Sequence, residues 1–287
     1  PHGPPLPHGD AVFTTWFSPD SKSVFTGCWD GAVRRWDVAT GQQQGEPLWH
    51  DRTLQRALSS PDGRLVLTSG RDSTVLWDAA SGRPVRAPLP GTYGTAAFSP
   101  DGRLVLTNTS DKNALQLWDV TTGKPVGAPL PHGANIYEAS FSHDGRLLLT
   151  SDSHNTVRLW DLSSDNPTAL VLQRQASINA STISPDGRWI LTASGAYNAR
   201  LWDAATGRPL GPPLRAPDRV VLVAFHPTRS AFVTASAKGP ARLFRLPTAW
   251  DGQPDEVVAR LRTALGMELD EAGAVRLVDD ASRAAAH

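Results

Sequence analysis

Apolar residues in this chain fall into short alternating runs, each closed by an aromatic, with clusters rich in Gly, Pro, Asp and Ser between them. Five runs end on Trp-Asp: Val33-Arg34-Arg35-Trp36-Asp37, Thr74-Val75-Leu76-Trp77-Asp78, Leu115-Gln116-Leu117-Trp118-Asp119, Val157-Arg158-Leu159-Trp160-Asp161 and Ala199-Arg200-Leu201-Trp202-Asp203. A sixth, Ala241-Arg242-Leu243-Phe244-Arg245, keeps the spacing with Phe in place of Trp. The closing aromatics stand at 36, 77, 118, 160, 202 and 244, in steps of 41 or 42 residues. A fixed period of this size marks one supersecondary unit used repeatedly. Most recurring residues therefore serve architecture.

Within one unit the pattern predicts strands. Residues 135–141, 146–151, 156–160 and 168–172 are rich in β-formers and separated by tight turns. The turn after the first strand recurs as Ser18-Pro19-Asp20, Ser60-Pro61-Asp62-Gly63, Ser99-Pro100-Asp101-Gly102, Ser142-His143-Asp144-Gly145 and Ser184-Pro185-Asp186-Gly187. The turn after the third recurs as Thr40-Gly41, Ser81-Gly82, Thr122-Gly123 and Thr206-Gly207. Asp, Pro and Gly stand where turns want them. Each unit is a four-stranded antiparallel meander too small to bury its own faces. Stacked radially, each sheet covers its neighbour.

Composition narrows the function classes. The chain has 287 residues, 40% apolar and 20% charged, which suits a folded domain. Lys plus Arg equals Asp plus Glu at 28 each, so no overall charge draws it to nucleic acid or to an anionic membrane surface. Cys28 is the only cysteine, which excludes an intrachain disulfide and a Cys-rich metal site and fits a reducing, cytoplasmic setting. No apolar run approaches the roughly 20 residues of a membrane-spanning helix. Residue 1 is Pro and the only Met is Met267. The chain therefore reads as the C-terminal part of something longer, and a missing upstream segment is where a membrane anchor would sit.

The four strands per unit, the His before the first strand (His8, His50, His132), the Ser-Pro-Asp-Gly turn and the closing Trp-Asp together resemble the WD40 repeat family over about residues 3–247. The resemblance implies an all-β fold, a β-propeller of six visible four-stranded blades. These are either a closed ring or part of a seven-bladed parent. The Gly-x-Pro-Leu-Pro-His segments at 3–8 and 127–132 resemble large bacterial WD40 proteins that often carry an N-terminal serine/threonine kinase domain. The end of the chain, Gly266-Met267-Glu268-Leu269-Asp270, resembles theirs too.

The family resemblance also implies a buried hydrogen-bond chain in each blade: His before the first strand, a hydroxyl on the second, Asp in the next turn and Trp on the third. His8, Thr26, Asp30 and Trp36 make the first set, and His50, Ser69, Asp72 and Trp77 the second. In the fourth unit His154 stands where the turn Asp is expected. The third has Gly91 for the His, and the fifth has Arg174 and Ala196 for His and Asp. The indole only donates, the hydroxyl relays, and imidazole does both. The same residue types make hydrolase triads, but sets that recur in every blade and are buried between sheets read as structural. No Gly-x-Ser-x-Gly elbow, Walker motif or kinase motif occurs. His132, His143 and His154 fall on different loops and make a poor metal set. Arg34, Arg158, Arg200 and Arg242 share a strand face with their aromatics, so their stems are expected to pack on neighbouring rings.

Function is left to the loops. In the family, the loops entering the first strand and joining the second to the third form one rim, the usual docking face. Here they carry Trp29, Arg71, Tyr93, Lys112, His154 and Tyr197, several of the types that anchor interfaces. The expectation is a non-catalytic scaffold for a protein or peptide, with no cofactor, no metal, no nucleic acid and no small-molecule ligand. The rival is a hydrolase-like propeller enzyme with a site over the central channel. Residues 248–287 form a separate α+β tail. It has an amphipathic helix at 254–265, entered at Pro254 and stopped at Gly266, and a small hairpin from 267–269 and 274–278.

Overall fold

The computed structural model describes residues 5–50, 54–71, 73–90, 92–111, 113–164, 167–173, 177–246, 267–269 and 275–277. Among them every regular element is a strand. The first sheet holds β1 (Val12–Phe17), β2 (Ser23–Cys28), β3 (Ala32–Asp37) and β4 (Leu48–Trp49). The second holds β5 (Arg56–Ser59), β6 (Leu65–Ser69), β7 (Ser73–Asp78) and β8 (Leu89–Pro90). The third holds β9 (Thr92–Phe98), β10 (Leu104–Asn108), β11 (Ala114–Asp119) and β12 (Pro125–Pro131). The fourth holds β13 (Ile136–Phe141), β14 (Leu147–Asp152), β15 (Val157–Asp161) and β16 (Ala169–Gln173). The fifth holds β17 (Ile178–Ile183), β18 (Trp189–Ser194), β19 (Asn198–Asp203) and β20 (Leu214–Arg215). The sixth holds β21 (Val220–Phe225), β22 (Ala231–Ser236) and β23 (Arg242–Arg245). Each sheet is an antiparallel meander in chain order.

Two turns make the meander. After the first strand, Ser142 donates its hydroxyl to Asp144 and accepts the Leu147 N–H, and Ser60, Ser99 and Ser184 repeat this on Asp62, Asp101 and Asp186. The residue that follows has φ near +71° (Gly63, Gly102, Gly187), the left-handed region that favours Gly, and the first unit accepts Ser21 there at +58°. After the third strand, the Asp of Trp-Asp takes a side-chain hydroxyl and a backbone N–H from Thr40, Ser81, Thr122, Ser163 or Thr206. The sixth run ends on Phe244-Arg245, with no carboxylate to hold that turn. Its sheet has three strands among the described residues, where the repeat predicts four.

The apolar residues gather between sheets, not within them. Phe25 and Val33 of the first sheet pack on Val66, Val75 and Trp77 of the second. Leu67 and Leu76 pack on Ala96, Phe98 and Val105. Leu106 and Leu117 meet Leu148 and Trp160. Leu149 and Leu159 meet Ile190 and Trp202. Leu191 and Leu201 meet Val223 and Phe232. Five clusters thus fill the five contacts between consecutive sheets. The predicted helix at 254–265 lies outside the described residues. Beyond the sixth sheet, β24 (Met267–Leu269) pairs antiparallel with β25 (Val275–Leu277).

Candidate docking rim and channel mouth

The buried polar sets meet at a Thr on each second strand. Thr26 accepts the Trp36 indole N–H at 2.8 Å and contacts His8 Nε2 at 2.7 Å, while His8 Nδ1 lies 2.8 Å from the Leu6 carbonyl. Thr150 repeats this with Trp160 and His132, and His132 Nδ1 meets Leu130 O. Burial pushes the His132 pKa down to about 4, against the backbone bond to Leu130. In the second unit the hydroxyl is Thr68, which accepts from Trp77 and meets His50, and not Ser69 as expected. Ser69 instead accepts from Thr74. The reason is face: Thr68 pairs with Val75, two residues before Trp77, and shares its side of the sheet, whereas Ser69 points the other way.

The turn carboxylates Asp30 and Asp152 are not part of this chain. Asp30 accepts from Arg34 at 2.7 Å and from the Ala32 N–H. In the fourth unit Asp152, not a residue at the His154 position, fills the role. It pairs with Arg158 and accepts the His154 and Thr156 N–H groups, and Arg158 also donates to the His132 carbonyl. Arg34 and Arg158 are thus ion-pair partners of Asp30 and Asp152, and Arg242 donates to the Arg215 carbonyl. Arg200 lies over Trp202 at 5.5 Å, and Arg34 over Trp49 at 5.7 Å.

These sets are sealed between sheets, which leaves the two rims as candidate surfaces. On the rim of the Ser-Pro-Asp-Gly and Thr-Gly turns, the carboxylates are committed. Hydroxyl and backbone donors hold Asp62, Asp78, Asp101, Asp119, Asp144 and Asp203 below the ordinary carboxylate range. Arg146 adds a fork on Asp161. The opposite rim carries the exposed rings. Trp29 is 60% exposed, Trp49 57%, Tyr137 66% and Tyr197 55%, and these are the strongly exposed Trp and Tyr side chains among the described residues. Phe17 is the exposed aromatic at the other end.

Of the expected rim residues, Trp29, Tyr197 and His154 are exposed in the turns between second and third strands, as is Arg71. Asp72 and Lys112, and the side chain of Tyr93, lie outside the described structure. Trp49 and Tyr137 were missed by the sequence reading. Tyr137 sits at a bulge, where Ile136 pairs with Asp152 and Glu138 with Ser151, so strict alternation mis-aims it. Trp49 ends a fourth strand of two residues, too short to carry a pattern.

Just inside this rim lies the central channel. The first strands of the sheets contact one another around the axis. Register places Arg56, Thr95 and Glu138 at one level in consecutive blades, each a residue before the one that pairs with the Thr of the second strand. Glu138 Oε2 accepts the Ser181 N–H at 3.1 Å and its hydroxyl at 3.3 Å. Burial raises the Glu138 pKa against those bonds, and burial lowers that of Arg56 despite the Glu138 charge. The two charges feel each other across the third blade without a direct ion pair.

Comparison with known proteins agrees with this architecture. The family model described as "WD domain, G-beta repeat" matches residues 6–37, 123–161 and 169–203. An uncharacterised WD repeat-containing protein of Schizosaccharomyces pombe is 37% identical over 71 residues, 25% of this chain and 18% of that protein. The small ribosomal subunit protein RACK1 of Drosophila melanogaster is 34% identical over 79 residues, 26% of this chain and 25% of RACK1. Autophagy-related protein 16 of Arabidopsis thaliana is 39% identical over 54 residues, 19% of this chain and 11% of that protein. The chain thus spans about a quarter or less of the length of these relatives. The crystal structure of the computationally designed Ika8 protein superposes with a TM-score of 0.70 at 18% identity, covering 85% of this chain and 73% of Ika8. From the repeat period, the meander sheets and these matches, the chain is an all-β propeller, and three stretches of it match the WD40 repeat.

Proposed function

We propose that the chain is a non-catalytic scaffold that docks a protein or peptide on the rim carrying Trp29, Trp49, Tyr137 and Tyr197. The observation that carries this reading is the gathering of exposed Trp and Tyr rings at one end of the blades. Such rings offer large contact area with few rotatable bonds. WD40 repeats generally act as protein-interaction scaffolds, and RACK1 and autophagy-related protein 16 are among the relatives. The enzyme alternative needs converging acid, base or nucleophile at the channel. Among the described residues, the first strands carry one carboxylate, Glu138. The finer setting, a module of a larger bacterial signalling protein in the cytoplasm, rests on the Gly-x-Pro-Leu-Pro-His segments and on the lone buried Cys28.

The test selects peptides from a random-sequence display library on the whole chain and measures their affinity for point variants. Trp29→Ala, Tyr137→Ala and Tyr197→Ala are each expected to weaken binding by about 2 kcal/mol, the typical loss for an anchor residue. Arg64→Ala and Arg103→Ala, on the opposite rim, are expected to leave it unchanged. The reverse pattern in folded variants moves the docking face to the other end.

A further inference from the structure

The Arg56 guanidinium makes no hydrogen bond or ion pair with any described residue, although it is half-buried at the channel mouth. A guanidinium has five donors and keeps its charge, so one that is half-buried at a channel mouth with no partner among the described residues can take an oxyanion. The described carboxylate whose charge it feels, Glu138, makes no direct ion pair with it. One of its oxygens takes both Ser181 donors, and it lies on the fourth blade while Arg56 is on the second. Thr95, between them at the same level, gives its hydroxyl to the Ile136 carbonyl at 3.5 Å and leaves that wall short and neutral. Two residues beyond Glu138 along β13, the Ser140 hydroxyl is buried with no hydrogen-bond partner. The mouth is therefore cationic at Arg56 and polar along the second to fourth blades, apolar at Ala180 and Leu222 of the fifth and sixth, and opens beneath exposed Tyr137.

We propose that this mouth receives an Asp or Glu side chain from a peptide docked across the aromatic rim, with Arg56 as its bidentate partner and Glu138 as the wall that sets the charge admitted. The inference rests on the docking reading above and adds the chemistry of the ligand. A carboxylate matches the guanidinium fork. Glu138 selects against more charge: a phosphate dianion set beside a second anion carries twice the repulsion of a carboxylate. A cationic side chain is disfavoured because it would face Arg56 at the same level as a carboxylate already bonded to Ser181.

The experiment uses the peptides selected on the whole chain, with binding followed by fluorescence polarisation. The expected result is an Asp or Glu at one fixed position in the selected set. Changing that residue to its amide weakens binding to the parent about tenfold or more, as for loss of one charge-assisted pair, and has no effect on binding to R56Q. E138Q is expected to bind the acidic peptides several-fold more tightly and to accept phosphoserine at that position, which a merely structural role for Glu138 would not produce. Thermal melts check that both variants fold. If R56Q does not, R56K serves in its place and should show a reduced acid-to-amide effect. The proposal is overturned if the acid-to-amide change weakens binding equally in parent and R56Q. It is also overturned if the selected peptides share no acid, or if phosphoserine binds the parent better than Glu. If the Trp29 and Tyr137 variants lose binding while R56Q does not, docking stands and this inference fails. If none of the variants loses binding, both fail.

Discussion

Thr26 and Thr150 show how much of the polar interior hangs on one atom. Each hydroxyl serves both an indole and an imidazole. Trp36→Phe removes one donor and leaves Thr26 bonded to His8, an expected loss of about 1 kcal/mol. Thr26→Val strands both rings and is expected to cost about 3 kcal/mol. Urea titrations that place the two variants level would show that packing, not the shared hydroxyl, sets the cost. His132 makes the interior sensitive to pH. Its pKa falls from 6.5 to about 4 in the folded chain, so between those values the unfolded chain binds the extra proton. The contribution is present above pH 6.5 and is lost as pH drops toward 4, on the order of 3 kcal/mol at 1.36 kcal/mol per unit. Stability measured at pH 7 and pH 4.5 should fall less in His132→Gln than in the parent. Equal falls would assign the acid sensitivity to other groups.

A strand in this fold is read through the sheet that covers it. Leu201 and Leu243 occupy the same position in β19 and β23, one residue before the closing aromatic. Leu201 is 7% exposed beneath the sixth sheet, whereas Leu243, on the outer side of that sheet, is 75% exposed. Leu201→Ala is expected to cost about 3 kcal/mol, the usual loss for a buried Leu, and Leu243→Ala about 0.5 kcal/mol or less. Comparable losses by thermal denaturation would mean that something covers Leu243 in solution. The period and both turns were legible in the sequence because each is local chemistry: a Ser or Thr hydroxyl on an Asp, and a residue with positive φ. What misled was the side on which a residue falls. Ser69 and Thr68 are adjacent, and one step decides which of them meets Trp77.

At the scale of the molecule, each sheet packs on its chain neighbours, and the five clusters join the six sheets in sequence. No strand of the first sheet pairs with the sixth among the described residues. Stability should therefore behave as a sum of nearest-neighbour contacts. Amide hydrogen exchange is expected to be slowest in β10, β14 and β18 and faster in β2 and β22, where one face has no neighbouring sheet packed on it among the described residues. Uniform protection across all six sheets would reveal a closed ring that the described residues do not show. The sequence by itself determined the repeat, the strands and turns of each blade and the Trp-Asp anchors, because these depend on contacts within about 40 residues. Only the tertiary structure decided that Arg56 of the second blade and Glu138 of the fourth share a channel mouth, and that Tyr137 and Trp49 join Trp29 and Tyr197 on one rim. Those meetings depend on how the sheets are arranged around the axis and on a one-residue bulge, and neither leaves a periodic mark along the chain.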